Sequence, residues 1–149
     1  MPFLATTVVI FILPLASAYV SASGVDNSPI AVAALQAKAE QAQPRDRCFL
    51  YAELVRQMTD LAGQQFNSGD SLQASETLKF VRQYAEKIHE GVADDSKKLK
   101  NAELLMGRAS FRLRDILSEA SYEDRPSLEA TLKQVNEVRE QLMTQVFKK

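Results

Sequence analysis

Asp46 to Val92, DRCFLYAELVRQMTDLAGQQFNSGDSLQASETLKFVRQYAEKIHEGV, is the stretch that decides the fold. Its first half places Cys48, Tyr51, Val55, Met58, Ala62 and Phe66 three and four residues apart, with Leu50, Leu54 and Leu61 on the adjacent flank. That is the wide apolar stripe of a helix buried on one side. Pro44 marks a break before it, and Asp46 is the expected N-cap. Asn67-Ser68-Gly69-Asp70 then reads as a tight turn, Gly69 being the residue best able to take a left-handed helix end. Asp70, followed three residues later by Gln73, gives a capping-box start to a second helix. Its seam is Ala74, Leu78, Val81, Ala85, Ile88 and Val92, the alternating spacing of a bundle helix. Two amphipathic helices joined by so short a turn must lie side by side.

The rest of the chain looks like a second hairpin. Asp94-Asp95-Ser96 is expected to cap a third helix carrying Leu99, Ala102, Met106, Ala109, Leu113, Ile116 and Ala120. Gly107 inside it costs about 1 kcal/mol against Ala and would allow a close neighbour. Asp124-Arg125-Pro126 opens a fourth helix with Leu128, Leu132, Val135, Arg139, Leu142 and Val146 on its seam. Arg139 is the odd member, a cation that either snorkels to solvent or pairs with a carboxylate. Upstream, Ser28-Pro29 introduces an Ala-rich stretch from Ile30 to Ala42, whose only bulk is Ile30, Val32 and Leu35. The expected fold is therefore all-α: an antiparallel four-helix bundle or two stacked helical hairpins, with an optional Ala-rich N-terminal helix. Residues 23–44 form the leader and that helix, and residues 45–149 the helical domain.

Thr77-Leu78-Lys79 and Thr131-Leu132-Lys133 occupy the same register in the second and fourth helices. Ala52-Glu53-Leu54 and Ala102-Glu103-Leu104 also match, but one residue out of step with the apolar stripes of their helices. Duplication of a hairpin is thus compatible with the sequence without being required by it. Gly63, Phe66, Gly69-Asp70 and Ala74 loosely resemble a tetratricopeptide unit, although one residue is missing before Gly69 and the second hairpin lacks the pattern. Over most of the chain, Arg47-Cys48-Phe49-Leu50-Tyr51-Ala52-Glu53, Lys100-Asn101-Ala102-Glu103-Leu104-Leu105-Met106, Glu123-Asp124-Arg125-Pro126, Ala130-Thr131-Leu132-Lys133 and Gln145-Val146-Phe147 resemble a family of exported all-α bacterial proteins, acidobacterial in type. That resemblance implies a helical fold and export, and nothing catalytic.

The chain has 149 residues, 46% hydrophobic, with 18 basic and 19 acidic side chains and a net charge of −1. This is enough for one core, and it lacks the basic excess of a nucleic-acid binder. Phe3 to Val20 is uncharged and apolar or small, and it ends in Ala16-Ser17-Ala18 and Val20-Ser21-Ala22, both at signal-peptidase spacing. Residues 1–22 are expected to be a cleaved signal peptide, sending the remainder to the periplasm or outside the cell without stable membrane insertion. An anchor left uncleaved is the alternative. The single Cys48 rules out an internal disulfide.

Candidate chemistry is sparse. Glu86 and His89 form one Glu-x-x-His, but a di-iron bundle needs two, and the chain has one His. Haem held by His89 with Met58 or Met106 lacks an attachment motif, and Met at core spacing fills gaps. Cys48 lies on the apolar stripe, as a small buried hydrophobe does. No catalytic residue or cofactor is expected. Phe80, Tyr84, Phe111, Arg139 and Phe147 stand on helix flanks as a candidate interaction surface. The function expected is that of a non-catalytic exported protein, an adaptor or chaperone-like module of the cell envelope, whose partner is an envelope protein or a second copy. The alternative is a bundle that binds a small ligand, metal or haem.

Overall fold

The structure is a computed structural model, and it describes residues 27–148. The signal-peptide reading of residues 1–22 lies outside them. Five helices follow one another: α1 (Pro29–Gln41), α2 (Pro44–Asn67), α3 (Ser71–Gly91), α4 (Leu99–Glu119) and α5 (Arg125–Phe147). None of them is long and apolar enough to cross a membrane.

The turn between α2 and α3 closes through its backbone. Gly69 takes φ of 82°, its N–H donates to Phe66 O at 3.0 Å, and Asp70 N–H donates to Gln65 O at 2.9 Å. These bonds satisfy two of the last carbonyls of α2. Asp70 Oδ1 accepts from Gln73 N–H at 3.2 Å and so caps α3 from the other side. The Gln73 side chain does not return the bond: the Asp70 N–H is already engaged by Gln65.

Two expected caps are displaced. Helix α2 begins at Pro44, whose fixed φ suits the first helical position, with Gln43 at the N-cap. Asp46 is therefore a first-turn residue, where its charge favours the positive end of the helix dipole. Helix α4 begins after Lys98, which holds φ of 56° and makes no side-chain cap. The Asp94-Asp95-Ser96 cluster shapes the loop instead. Ser96 Oγ accepts from Ala93 N–H at 3.0 Å, and Asp94 takes a hydrogen bond from the Gln145 amide. Lys97 N–H donates to Arg45 O at 2.8 Å, tying the start of α4 to the start of α2.

That tie selects between the two expected architectures. Helix α2 packs on α3 and on α4, and α5 packs on α3 and on α4, while α2 does not meet α5 and α3 does not meet α4. Lys98 Nζ lies 4.7 Å over the Phe49 ring near the starts of α4 and α2, and further along Arg112 reaches Asp60. The two helices thus run parallel. Arg82 to Thr131 and His89 to Gln141 give the same parallel order for α3 and α5. The fold is all-α, with two antiparallel hairpins stacked in the same orientation. Helix α1 lies antiparallel along α2 alone, since Asn27 reaches Asp60 while Ala42 sits beside Arg47. It docks through Val32, Leu35 and Ala39, and Ile30 faces solvent.

The hairpins repeat each other in burial. Ala74, Thr77, Val81, Tyr84 and Ile88 of α3 are all buried, and so are Leu128, Thr131, Val135, Val138 and Leu142, each 54 positions on. Between α2 and α4 the shift is 51: Cys48 and Leu99, Val55 and Met106, Met58 and Ala109, Thr59 and Ser110, Ala62 and Leu113 are buried pairs. The α5 stripe accordingly differs from the expected one. Thr131 and Val138 are buried, whereas Leu132 and Arg139 are half-buried. Thr131 can enter the core because its hydroxyl donates to Ser127 O at 2.8 Å and accepts from Arg82 at 2.9 Å. Leu132 is partly uncovered because α5 has neighbours only in α3 and α4.

Truncation should distinguish the two leucines. Leu78→Ala, at a fully buried site, should lower the free energy of unfolding by about 2–5 kcal/mol. Leu132→Ala should cost about 1 kcal/mol, the value for a partly covered side chain. Urea denaturation of both variants checks this, and equal losses would overturn the burial stripe assigned to α5.

Candidate open end of the hairpin stack

Helix α4 carries an outward row at Lys100, Leu104, Gly107 and Phe111, positions that share a face at helical spacing but lie off the buried seam. Leu104 is 52% exposed and Phe111 65%. Across the seam with α5, Met143 and Phe147 are also exposed. A shallow groove of about 350 Å³ runs between Glu103, Leu104, Gly107, Arg108, Phe111 and Arg139. A hollow of about 170 Å³ beside Lys100, Met143, Val146 and Phe147 adjoins it, and Glu103 lines both.

Arg139 lies across the groove floor between α5 and α4. Its Nε donates to Glu103 Oε1 at 2.7 Å, and the more enclosed partner is the carboxylate. Of the two fates open to this cation, pairing is the one realised. A Cβ on Gly107 would stand 3.3 Å from Arg139 Nε, so the absent side chain is what lets the guanidinium lie against α4. Gly63 plays a similar part on α2, where a Cβ would come within 2.6 Å of Arg112 Nη2.

The repeat gives this face a meaning. Helix α2 receives α4 through Phe49, Glu53, Asp60 and Gly63. Moved on by 51 positions, these become Lys100, Leu104, Phe111 and Arg114. Hairpin one therefore covers this face with hairpin two, while hairpin two leaves it open. At two of the four positions an apolar side chain replaces a carboxylate: Glu53 corresponds to Leu104 and Asp60 to Phe111.

Of the residues expected on an interaction surface, Phe111, Arg139 and Phe147 are brought together here. Phe80 stands apart on α3, which does not touch α4. Tyr84 is a correction: it is buried, its ring 5.6 Å from that of Tyr51 with Lys87 Nζ 5.2 Å away. It belongs to the joint within the first hairpin. Leu104 and Met143 were not among the expected surface residues. Leu104 could have been found, since it precedes Phe111 by two helical turns on the same face.

The Glu-x-x-His pair serves the contact between hairpins. Glu86 Oε2 accepts from Gln134 Nε2 at 3.1 Å, His89 Nδ1 lies 2.8 Å from Gln141 Oε1, and Gln141 Nε2 donates to His89 O at 3.1 Å. Among the described residues, no three His, Cys, Asp or Glu side chains converge as metal ligands would. Met58 and Met106 are buried in the core, whereas His89 is exposed on α3. Cys48 is buried, and desolvation pushes its thiol pKa from 9.0 up to about 11.

No family model matches the chain, and neither a curated protein nor a solved structure is similar to it.

Cys48 gives a test of the folded core. Between pH 9.0 and about 11 the unfolded chain has lost the thiol proton that the folded chain retains, so deprotonation favours unfolding across that window. Stability contributed by the buried thiol is present below pH 9.0 and is lost as pH rises through about 11. In urea titrations, wild type should lose more stability over this range than Cys48→Ala. Equal pH dependence would contradict the burial.

Proposed function

We propose that this chain is a non-catalytic exported helical protein, an adaptor or chaperone-like module of the cell envelope. It binds by accepting a helix of another polypeptide against the open end of its hairpin stack. The observation that carries this reading is the exposed apolar row of Leu104, Phe111, Met143 and Phe147, set where the fold's own repeat would place the next helix. An exposed apolar patch with a charged rim is the usual mark of a docking surface. Lys100, Arg108 and the Arg139–Glu103 pair supply that rim. Cys48 is buried and protonated at neutral pH, and His89 is hydrogen-bonded to Gln141.

Support for export comes from the sequence alone, from the uncharged apolar run Phe3–Val20 and the small-residue sites that follow it. A single buried thiol suits an oxidising compartment, since the chain has no second cysteine with which to mispair.

A photo-crosslinking side chain at position 111, introduced in living cells, should capture a protein partner. The same probe at position 80, on the face of α3 remote from α4, should not. Matching crosslink patterns from the two positions would refute the assignment of the binding surface.

A further inference from the structure

The reading of the α4/α5 face as a docking surface leaves its occupant open, and the arrangement of α4 names one. We infer that the partner is a second copy of this chain, paired face to face through α4 about a two-fold axis. The inference rests on that reading of the face and goes beyond it.

First, the two ends of the stack are not alike. Helix α4 meets α2 through Asn101, Leu105 and Arg112. The counterparts of these on α2, 51 positions earlier, are Leu50, Leu54 and Leu61. Leu50 and Leu54 are buried, Leu61 is partly so, and α1 packs along α2 through Val32, Leu35 and Ala39. With that end closed, one copy cannot stack head-to-tail on the next as hairpin two stacks on hairpin one. An open end can meet only another open end, which makes the contact isologous and self-limiting.

Second, the exposed row of α4 is complementary to itself when reversed. Taken about the Gly107–Arg108 peptide, Leu104 and Phe111 lie at equal distances on either side, and so do Lys100 and Asp115. All four are exposed and share one face of the helix. An antiparallel α4 from a second copy, crossing at that peptide, sets Leu104 against Phe111 of the copy and Lys100 against Asp115 of the copy. Two-fold symmetry repeats each contact, giving two apolar pairs flanked by two opposite-charge pairs. The centre of the row carries no bulk at Gly107. Arg108 meets its own copy there, and its long stem lets the charge swing out to water. Apolar contact supplies the affinity and the charge pairs set the register.

The register makes the test specific. Sedimentation equilibrium of the full chain, in the form its host makes, should show a monomer–dimer equilibrium. Phe111→Asp should shift it to monomer while leaving the urea midpoint unchanged at concentrations where wild type is also monomeric, because Phe111 is exposed in the single chain; Phe80→Asp should leave the dimer intact. Lys100→Glu and Asp115→Lys should each weaken dimerisation roughly tenfold, since each opposes like charges at two places. The double variant should recover most of the loss. A chain that remains monomeric at all concentrations overturns the inference, and so does a double variant that is weaker than either single one. A crosslink from position 111 to a different protein would also overturn it while leaving the docking surface in place. A monomer that yields no crosslinked protein from position 111 would remove both.

Discussion

The hydrogen bond from Lys97 N–H to Arg45 O, at 2.8 Å, brings the beginning of α4 back to the beginning of α2. Helices α2 and α3 form a tight hairpin, so the end of α3 already lies at that level. The loop has only to cross from one helix to the far side of the other. Once it does, α4 must run parallel to α2, and α5, returning, must run parallel to α3. The stacking of hairpins in one orientation and the absence of contact across the diagonals follow. An up-down bundle would keep the same helix directions but set α4 beside α3 and diagonal to α2, the reverse of the contacts found.

Much of this fold is legible in the residues. Gly69 and Asp70 mark a helix end and a helix start because a positive φ and a side-chain cap are local requirements that few residues meet. The α3 seam is legible at Ala74, Leu78, Val81, Ala85 and Ile88, while the burial of Thr77 and Tyr84 is not. The α5 stripe is harder to read. Thr131 enters the core with its hydroxyl bonded to Ser127 and Arg82, and a polar residue at a core position is invisible to apolar periodicity. Leu132 shows the converse, an apolar residue left half-covered where α5 packs only on α3 and α4 among the described residues. Lys98, the non-glycine residue in the left-handed region, has no local signature. It stands next to the residue whose N–H bonds to Arg45. Which helix α4 lies beside is equally out of reach of the sequence, because it depends on a long-range contact.

The candidate surface shows the same division. Phe111 and Phe147 stand out in the sequence as aromatic residues off the seam, and Arg139 as a cation on it. What joins them is the Arg139–Glu103 pair laid over Gly107, a three-residue arrangement spread over two helices. No window of sequence contains it. Glycine in mid-helix is a weak signal, costing about 1 kcal/mol of helix propensity whatever its reason. Here Gly63 and Gly107 each leave room for an arginine from the next helix in the stack, Arg112 and Arg139 respectively.

The short Asn67–Asp70 turn also governs the order in which the chain can become stable. Closing a loop of a few residues has a small entropic cost, whereas the contacts between hairpins span about fifty residues and form only after a larger chain entropy has been surrendered. Helices α2 and α3 share Tyr51, Tyr84 and the apolar residues around them, so they have a partner surface before α4 is made. A polypeptide delivered amino-terminus first, through a pore or from a ribosome, can therefore assemble vectorially. Helix α1 and the first hairpin serve as the template on which the second hairpin is laid.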